Sequence, residues 1–353
     1  MSQSRKERFA HAPHTPSERI HIGAHAFHRS DLPCTRHCVP PQVLGPAKVA
    51  VPYLFAIITF QGSLNTSLHQ VVETFRHPRE LLAILSVTVV LMPALARFAA
   101  GIIFSDPGII TGIVVEYSIP IAVMSFMWID MYRGNASLGL AAILISTVLA
   151  PVTLPLALRV LMGASVTVDP WSMVGDLVFM IALPAIAGVA VNELSKGWGH
   201  EALAPNLGAF TRLFSVFVIA CNSTGLAPYA RSFDPLVFEV AAFICVFATL
   251  GFVLGLVMAR LLGLSVQDML SMVFCVGLRN ISSGSVIVVQ FFPGPAIIPV
   301  MAGTLFQQIL AAVFGSLVQR LTGEERERQR RRVRLARFRE RGKRGRHERG
   351  QQE

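Results

Sequence analysis

Two apolar stretches of this sequence carry ionisable and hydrogen-bonding side chains among hydrocarbon neighbours. The first reads Val115-Glu116-Tyr117-Ser118-Ile119-Pro120 and runs on to Ser125. The second reads Cys275-Val276-Gly277-Leu278-Arg279-Asn280-Ile281-Ser282-Ser283-Gly284. A third stretch supplies Gln307 and Gln308. A charged side chain at the centre of such a run costs about 2.5–3.5 kcal/mol on insertion scales and marks a functional site by default. Pro120 withdraws a backbone donor and clashes with the preceding turn, which frees carbonyls beside Glu116. A guanidinium, a carboxylate, amides and hydroxyls can together hold a small polar solute, above all an anion. Glu116, Ser118, Ser125, Arg279, Asn280, Ser282, Ser283 and Gln307 are therefore the candidate substrate-binding residues. Plainer readings stand beside this one. Arg279 can snorkel to an interface, Glu116 can serve only as its structural partner, and the serines can cap broken helices or join neighbouring ones. Gln307 can bridge helices, and Trp128 and Tyr132 suit interfacial anchors.

The surrounding composition says what scaffold holds these groups. Only 15% of the 353 residues are charged and 53% are hydrophobic, whereas soluble domains carry roughly a quarter charged residues. With a mean hydropathy of +0.56, the chain belongs with the membrane proteins. A span needs about 20 apolar residues. Such runs fall near 49–66, 81–104, 108–130, 136–162, 171–193, 208–226, 236–263, 268–291 and 295–320. The expected organisation is a poorly structured segment at 1–48, a transporter-like bundle of about nine spans at 49–320, and a basic tail at 321–353.

Short loops set the orientation. Arg76, Arg79, Arg133, Lys196 and Arg260 fall on one side together with the tail, and the opposite loops hold little Lys or Arg apart from Arg231. That side, with the C-terminus, is expected to face the cytoplasm of a multi-pass protein in the cell membrane. Nine spans would then leave 1–48 outside, although it carries Arg5, Lys6, Arg8, Arg19, Arg29, Arg36 and Lys48. A tenth span at the start would remove the conflict. The net charge of +10 is concentrated in the tail, which suits anionic lipid headgroups, and no nucleic acid is expected. Cys34 and Cys38 match no strong zinc spacing, and no metal or cofactor is expected. Cys221, Cys245 and Cys275 read as buried thiols. No Gly-x-Ser-x-Gly, His-Glu-x-x-His or comparable set points to an enzyme.

The chain also repeats itself weakly at an offset of about 160 residues, the kind of internal symmetry that secondary transporters carry. Phe55 to Thr66 resembles Phe214 to Gly225, and Leu158 to Gly163 resembles Val318 to Gly323. Pro120 then falls opposite Arg279 and Asn280. An odd number of spans separates the copies, so they point in opposite directions. The expected fold is an all-α inverted-repeat transporter with two broken helices that cross at the site.

Several short elements, in order, carry a family resemblance. They are Phe60 to Leu68, Phe75 to Leu82, Leu91-Met92-Pro93, Arg133-Gly134-Asn135, Ser146 to Pro151, and Gly277-Leu278-Arg279-Asn280. Over about 50–322 the chain resembles the bile acid:sodium symporter family. That resemblance implies ten helices in two inverted five-helix repeats, a panel and a core domain, and crossing fourth and ninth helices, here the third and eighth spans. The chain would then lack the family's first helix, for which a truncated or misassigned gene start is the preferred explanation. The resemblance also implies where sodium ligands would stand. Those positions hold Ser125 with Phe126, Gly139, Ile143 and Cys275, and a site-lining Gln is Arg279. Phe, Gly, Ile, Cys and Arg side chains offer no hard oxygen or negative charge to sodium. The expected activity is secondary transport of a small organic anion by alternating access, not dependent on sodium. An arsenite-type permease fits less well, because the third span has no Cys and Asn280-Ile281-Ser282 lacks a Glu. A non-transporting receptor or scaffold that uses the basic tail is the remaining alternative.

Overall fold

The computed structural model describes residues 48–69, 72, 78–163, 169–223, 234–292 and 294–349, with 48, 170 and 324–349 as backbone alone. The expectations for 1–47, including Cys34 and Cys38, lie outside the described residues. Among those residues the chain is helical, with no strand. The helices are α1 (Val51–Ser63), α2 (Pro78–Ile103), α3 (Pro107–Ser118), α4 (Met124–Met131), α5 (Ala136–Met162) and α6 (Trp171–Leu194). They continue as α7 (Ala204–Ser223), α8 (Pro235–Leu261), α9 (Val266–Gly277), α10 (Ile281–Phe291) and α11 (Ile297–Arg349). Six helical stretches, those around α2, α5, α6, α7, α8 and the apolar part of α11, are long and apolar enough to cross a bilayer.

Local chemistry explains most helix starts. Asp106, Asp169 and Asp234 each precede a proline, and each accepts backbone N–H bonds from the first turn of α3, α6 and α8. The side-chain oxygen satisfies donors that have no helical partner, and proline at the first position loses nothing there. Asn135 caps α5 and Ser265 caps α9 in the same way. The wide turns Ser86–Leu91 in α2 and Val178–Ala182 in α6 lie just before Pro93 and Pro184. A proline cannot donate into the ladder, and a π turn is one way to pass that missing bond.

The order α1, α2, α3/α4, α5 recurs as α7, α8, α9/α10, α11, at an offset of about 160 residues, with α6 between the copies. The two interrupted spans run antiparallel where they meet, through a bridge between Ile121 and Arg279. The repeats are therefore inverted. α1 packs on α6 and α7, and these form one group. α8 packs on α9 and α11, and α3 packs on α2, α5 and α11, which makes the larger second group. Small residues permit the closest approaches: a Cβ at Gly112 would collide with the backbone of Ala296, and one at Gly188 with the Phe60 carbonyl. Without a hydrophobic drive between helices in lipid, this packing is a principal source of association. Phe98, Trp171, Leu183, Phe210, Phe238 and Val246 are exposed, which suits an outer surface solvated by lipid rather than water.

Candidate substrate cavity at the helix crossing

The first break forms at Pro120, which has no N–H to give to a helix, and the second at Leu278 to Asn280, where no proline stands. After Ser118 the chain becomes extended at Ile119, ahead of Pro120, and α4 begins at Met124. After Gly277 it becomes extended at Leu278, and α10 begins after Asn280. The freed groups satisfy one another across the crossing. Asn280 N–H donates to the Pro120 carbonyl (3.0 Å), and Ala122 N–H donates to the Leu278 carbonyl (3.3 Å). Ile121 N–H donates to Ser146 Oγ on α5 (3.2 Å). Non-helical backbone at membrane depth persists only where protein or a cavity satisfies it; here protein supplies the partners.

Gln307 on α11 ties the crossing together. Its Oε1 accepts the N–H of Arg279 at 3.1 Å, and its Nε2 donates to Glu116 Oε1 at 3.2 Å. A backbone N–H requires an acceptor, so this contact also fixes the orientation of the amide. Arg279 is 3% exposed and Glu116 1%. The guanidinium Nε and Nη2 have no hydrogen-bond partner, nor has Glu116 Oε2. Asn280 caps α10 by accepting the N–H of Ser283 at 3.2 Å.

A cavity of about 430 Å³ opens beside the crossing, between the two helix groups. Its volume is in the range of small-molecule sites. Arg279, Asn280, Ser282 and Gln307 line it; Glu116, Ser118, Ser125 and Ser283 do not. Those four are buried in the wall. Ser125 Oγ donates to the Phe274 carbonyl at 3.3 Å, while the hydroxyls of Ser118 and Ser283 have no partner. Gln308 lines the cavity and also accepts from Trp128 Nε1 at 2.8 Å. Trp128 stacks on Phe274 with ring centroids 6.2 Å apart and is buried, so it is a packing residue rather than an interfacial anchor.

The opposite wall comes from α1 and α7, and the reading from sequence did not place it. Gln61, Asn65 and Thr66 contribute from α1 and its end, and Thr211, Arg212 and Ser215 from α7. Gln61 is held by donating to the Ala204 carbonyl at 3.1 Å and accepting from Thr211 at 3.4 Å. One signal was available: Arg212 lies in an apolar span, so the rule that singled out Arg279 applies to it as well. Among the described residues the lining includes two arginines and no carboxylate.

Residues 52–230 match the model of the sodium bile acid symporter family. A relative from Bacillus subtilis, the uncharacterized protein YbaS, is 36% identical over 280 residues, covering 79% of this chain and 92% of its own. The chain belongs to the sodium bile acid symporter family. It is also similar to the probable sodium/metabolite cotransporter BASS1 of Arabidopsis thaliana chloroplasts, at 23% identity over 69% of this chain and 60% of that one. The uncharacterized sodium-dependent transporter YocS of Bacillus subtilis is 21% identical over 70% of this chain and 76% of its own. Within this family the architecture described above is that of a multi-pass membrane transporter.

Proposed function

We propose that this member is a secondary carrier of a small organic anion, works by alternating access and does not depend on sodium. The charge of the cavity carries the reading. Arg279 stands on one wall and Arg212 on the other, with no carboxylate among the described lining residues. A cation taken from water into such a cavity meets repulsion, whereas an anion meets two guanidinium groups. The starts of α4 and α10 also line the cavity through Val123, Met124, Ile281 and Ser282, and helix N-termini favour negative charge. Phe55, Ile58, Ile143 and Leu144 supply apolar surface for the carbon skeleton.

The sodium-dependent names of two relatives belong to those proteins. At the positions where the resemblance implies sodium ligands, this chain has Phe126, Gly139, Ile143 and Cys275. The Gly139 Cα packs against the Ile129 side chain, and Cys275 is fully buried. These side chains bring no hard oxygen ligand, and sodium, like other hard cations, selects oxygen. Arg279 places a fixed positive charge nearby instead. In this reading the basic tail lies on the cytoplasmic leaflet, with its arginines against anionic headgroups.

Uptake into proteoliposomes tests the proposal. Purified protein would be challenged with radiolabelled acetate, pyruvate, benzoate and cholate in sodium-free buffer. Saturable uptake of at least one of them is expected. Binding without flux would favour a receptor or scaffold, and the absence of saturable flux for every anion from folded protein would overturn the carrier reading.

A further inference from the structure

We propose that Glu116 is a proton-binding site and that the carrier moves one proton with each monovalent anion. The inference rests on the anion-carrier reading above, but the site can be probed separately. Glu116 lies on α3, one helical turn before the break, and is 1% exposed. Oε1 accepts one hydrogen bond, from Gln307 Nε2 at 3.2 Å, and Oε2 has no partner. Among the described residues no ion pair reaches the carboxyl group. Its other close neighbour is the backbone of α11: a Cβ on Gly303 would lie 2.5 Å from Oε1. Oε2 is therefore the atom at which a proton can be held, since its lone pairs have no other partner. Intramembrane acids in this situation are the usual proton carriers of transporters.

The neighbouring groups supply the coupling. Arg279, at the break between α9 and α10, is the cation facing Glu116, and Gln307 hydrogen-bonds to both residues. The other ionisable neighbours are Tyr117 on α3, whose hydroxyl donates to the Ile244 carbonyl at 3.4 Å, Cys245 on α8, and Cys275 on α9. On α2, which also packs on α3, Arg97 is turned to the Leu161 carbonyl, to which its Nε donates at 3.0 Å, and from Ala136 to Leu158 on α5, Ile281 to Phe291 on α10 and Ile297 to Gln319 on α11 there is no ionisable side chain. In the empty site the charge of Arg279 compensates ionised Glu116. When an anion engages Arg279, that compensation is spent on the ligand. A proton from the entry side then converts the Glu116 carboxylate to the acid. Glu116, Arg279 and any bound anion therefore sum to no net charge in both the empty and the loaded carrier, and Arg212, exposed on the other wall, adds the same charge to both, so loading does not change the charge that reorients. On the far side the anion and the proton leave together, and no bond within the cargo is made or broken.

The full chain in sodium-free proteoliposomes tests this with whichever of the four labelled anions gives the highest saturable flux. A gradient acid outside by one pH unit should drive about tenfold accumulation of a monocarboxylate, since one unit is worth 1.36 kcal/mol per proton, and a protonophore should abolish it. Glu116→Gln, which resembles the protonated form, should lose this accumulation while still exchanging internal for external anion. Wild-type accumulation indifferent to the gradient, or a Glu116→Gln variant that retains the response, would overturn the proposal. Infrared difference spectra of membranes titrated with acid give a readout that needs no substrate. A carboxylic-acid carbonyl band present in wild type and missing from Glu116→Gln is expected. Without such a band the site fails even if Glu116→Gln misfolds. Absence of flux for every anion alongside a titrating band would instead indict the anion-carrier reading.

Discussion

The Pro120 carbonyl accepts the backbone N–H of Asn280 at 3.0 Å. The two residues are 160 positions apart in sequence and belong to opposite copies of the repeat. Each break thus supplies the partner that the other lost. The cavity wall at this point is hydrogen-bonded backbone rather than loop, so Arg279 and Asn280 are presented from a braced position. A braced site supports a sharp dependence on individual side chains.

Arg279 is the strongest test. Arg279→Gln should reduce flux per folded molecule to near background, and Arg279→Lys should retain part of it, because the charge survives while the planar fork is lost. If Arg279 served only to balance Glu116, the double change Arg279→Gln with Glu116→Gln would restore flux. Transport assays on size-exclusion-purified variants separate these outcomes. Normal flux in Arg279→Gln alone would remove the residue from the mechanism.

Arg212 should act on affinity more than on turnover. It lines the cavity from α7 and is exposed, so its charge is partly screened and its contribution is about 1 kcal/mol, roughly a fivefold rise in KM on Arg212→Gln. Concentration-dependent uptake measures it. An unchanged KM would show that cargo does not approach this wall.

Gln307 carries two hydrogen bonds that nothing else replaces. Gln307→Leu leaves the Arg279 N–H and Glu116 Oε1 buried without partners, at a cost of about 1–3 kcal/mol for each. Lower thermal stability in detergent is expected, together with loss of flux. Gln307→Met keeps the volume and removes the bonds, so equal stability of Gln307→Met and wild type would show that the bonds contribute nothing.

Replacing sodium with choline should leave initial uptake nearly unchanged, because Phe126, Gly139, Ile143 and Cys275 offer no hard ligand. A steep sodium dependence would overturn the sodium-independent reading.

The backbone of α11 continues as helix to Arg349. Deleting 324–349 should lower expression or correct insertion, because basic residues near an anionic leaflet contribute about 1 kcal/mol each. KM for correctly inserted protein should stay the same. A selective change in KM would place the tail in the transport path.

By itself, the sequence determined the all-α membrane class and the inverted repeat with its two broken helices. These follow from near-neighbour physics: lipid demands long apolar runs, and Pro120 withdraws a donor from the ladder beside Glu116, although α5 runs on through Pro151 and Pro155. It also determined that Arg279, Asn280, Ser282 and Gln307 are chemically unusual for their surroundings, and they line the cavity. Tertiary structure decided which polar residues face that space and which lie behind it. Ser125 turns to the Phe274 carbonyl, and Glu116 is held behind Gln307. Gln61, Thr211 and Arg212 gather on a wall that forms only because α1 and α7 pack side by side. Helical periodicity shows that a residue is polar within an apolar run. Which neighbouring helix stands opposite depends on contacts between residues far apart in sequence, such as Glu116 with Gln307 and Pro120 with Asn280, and no local pattern contains them.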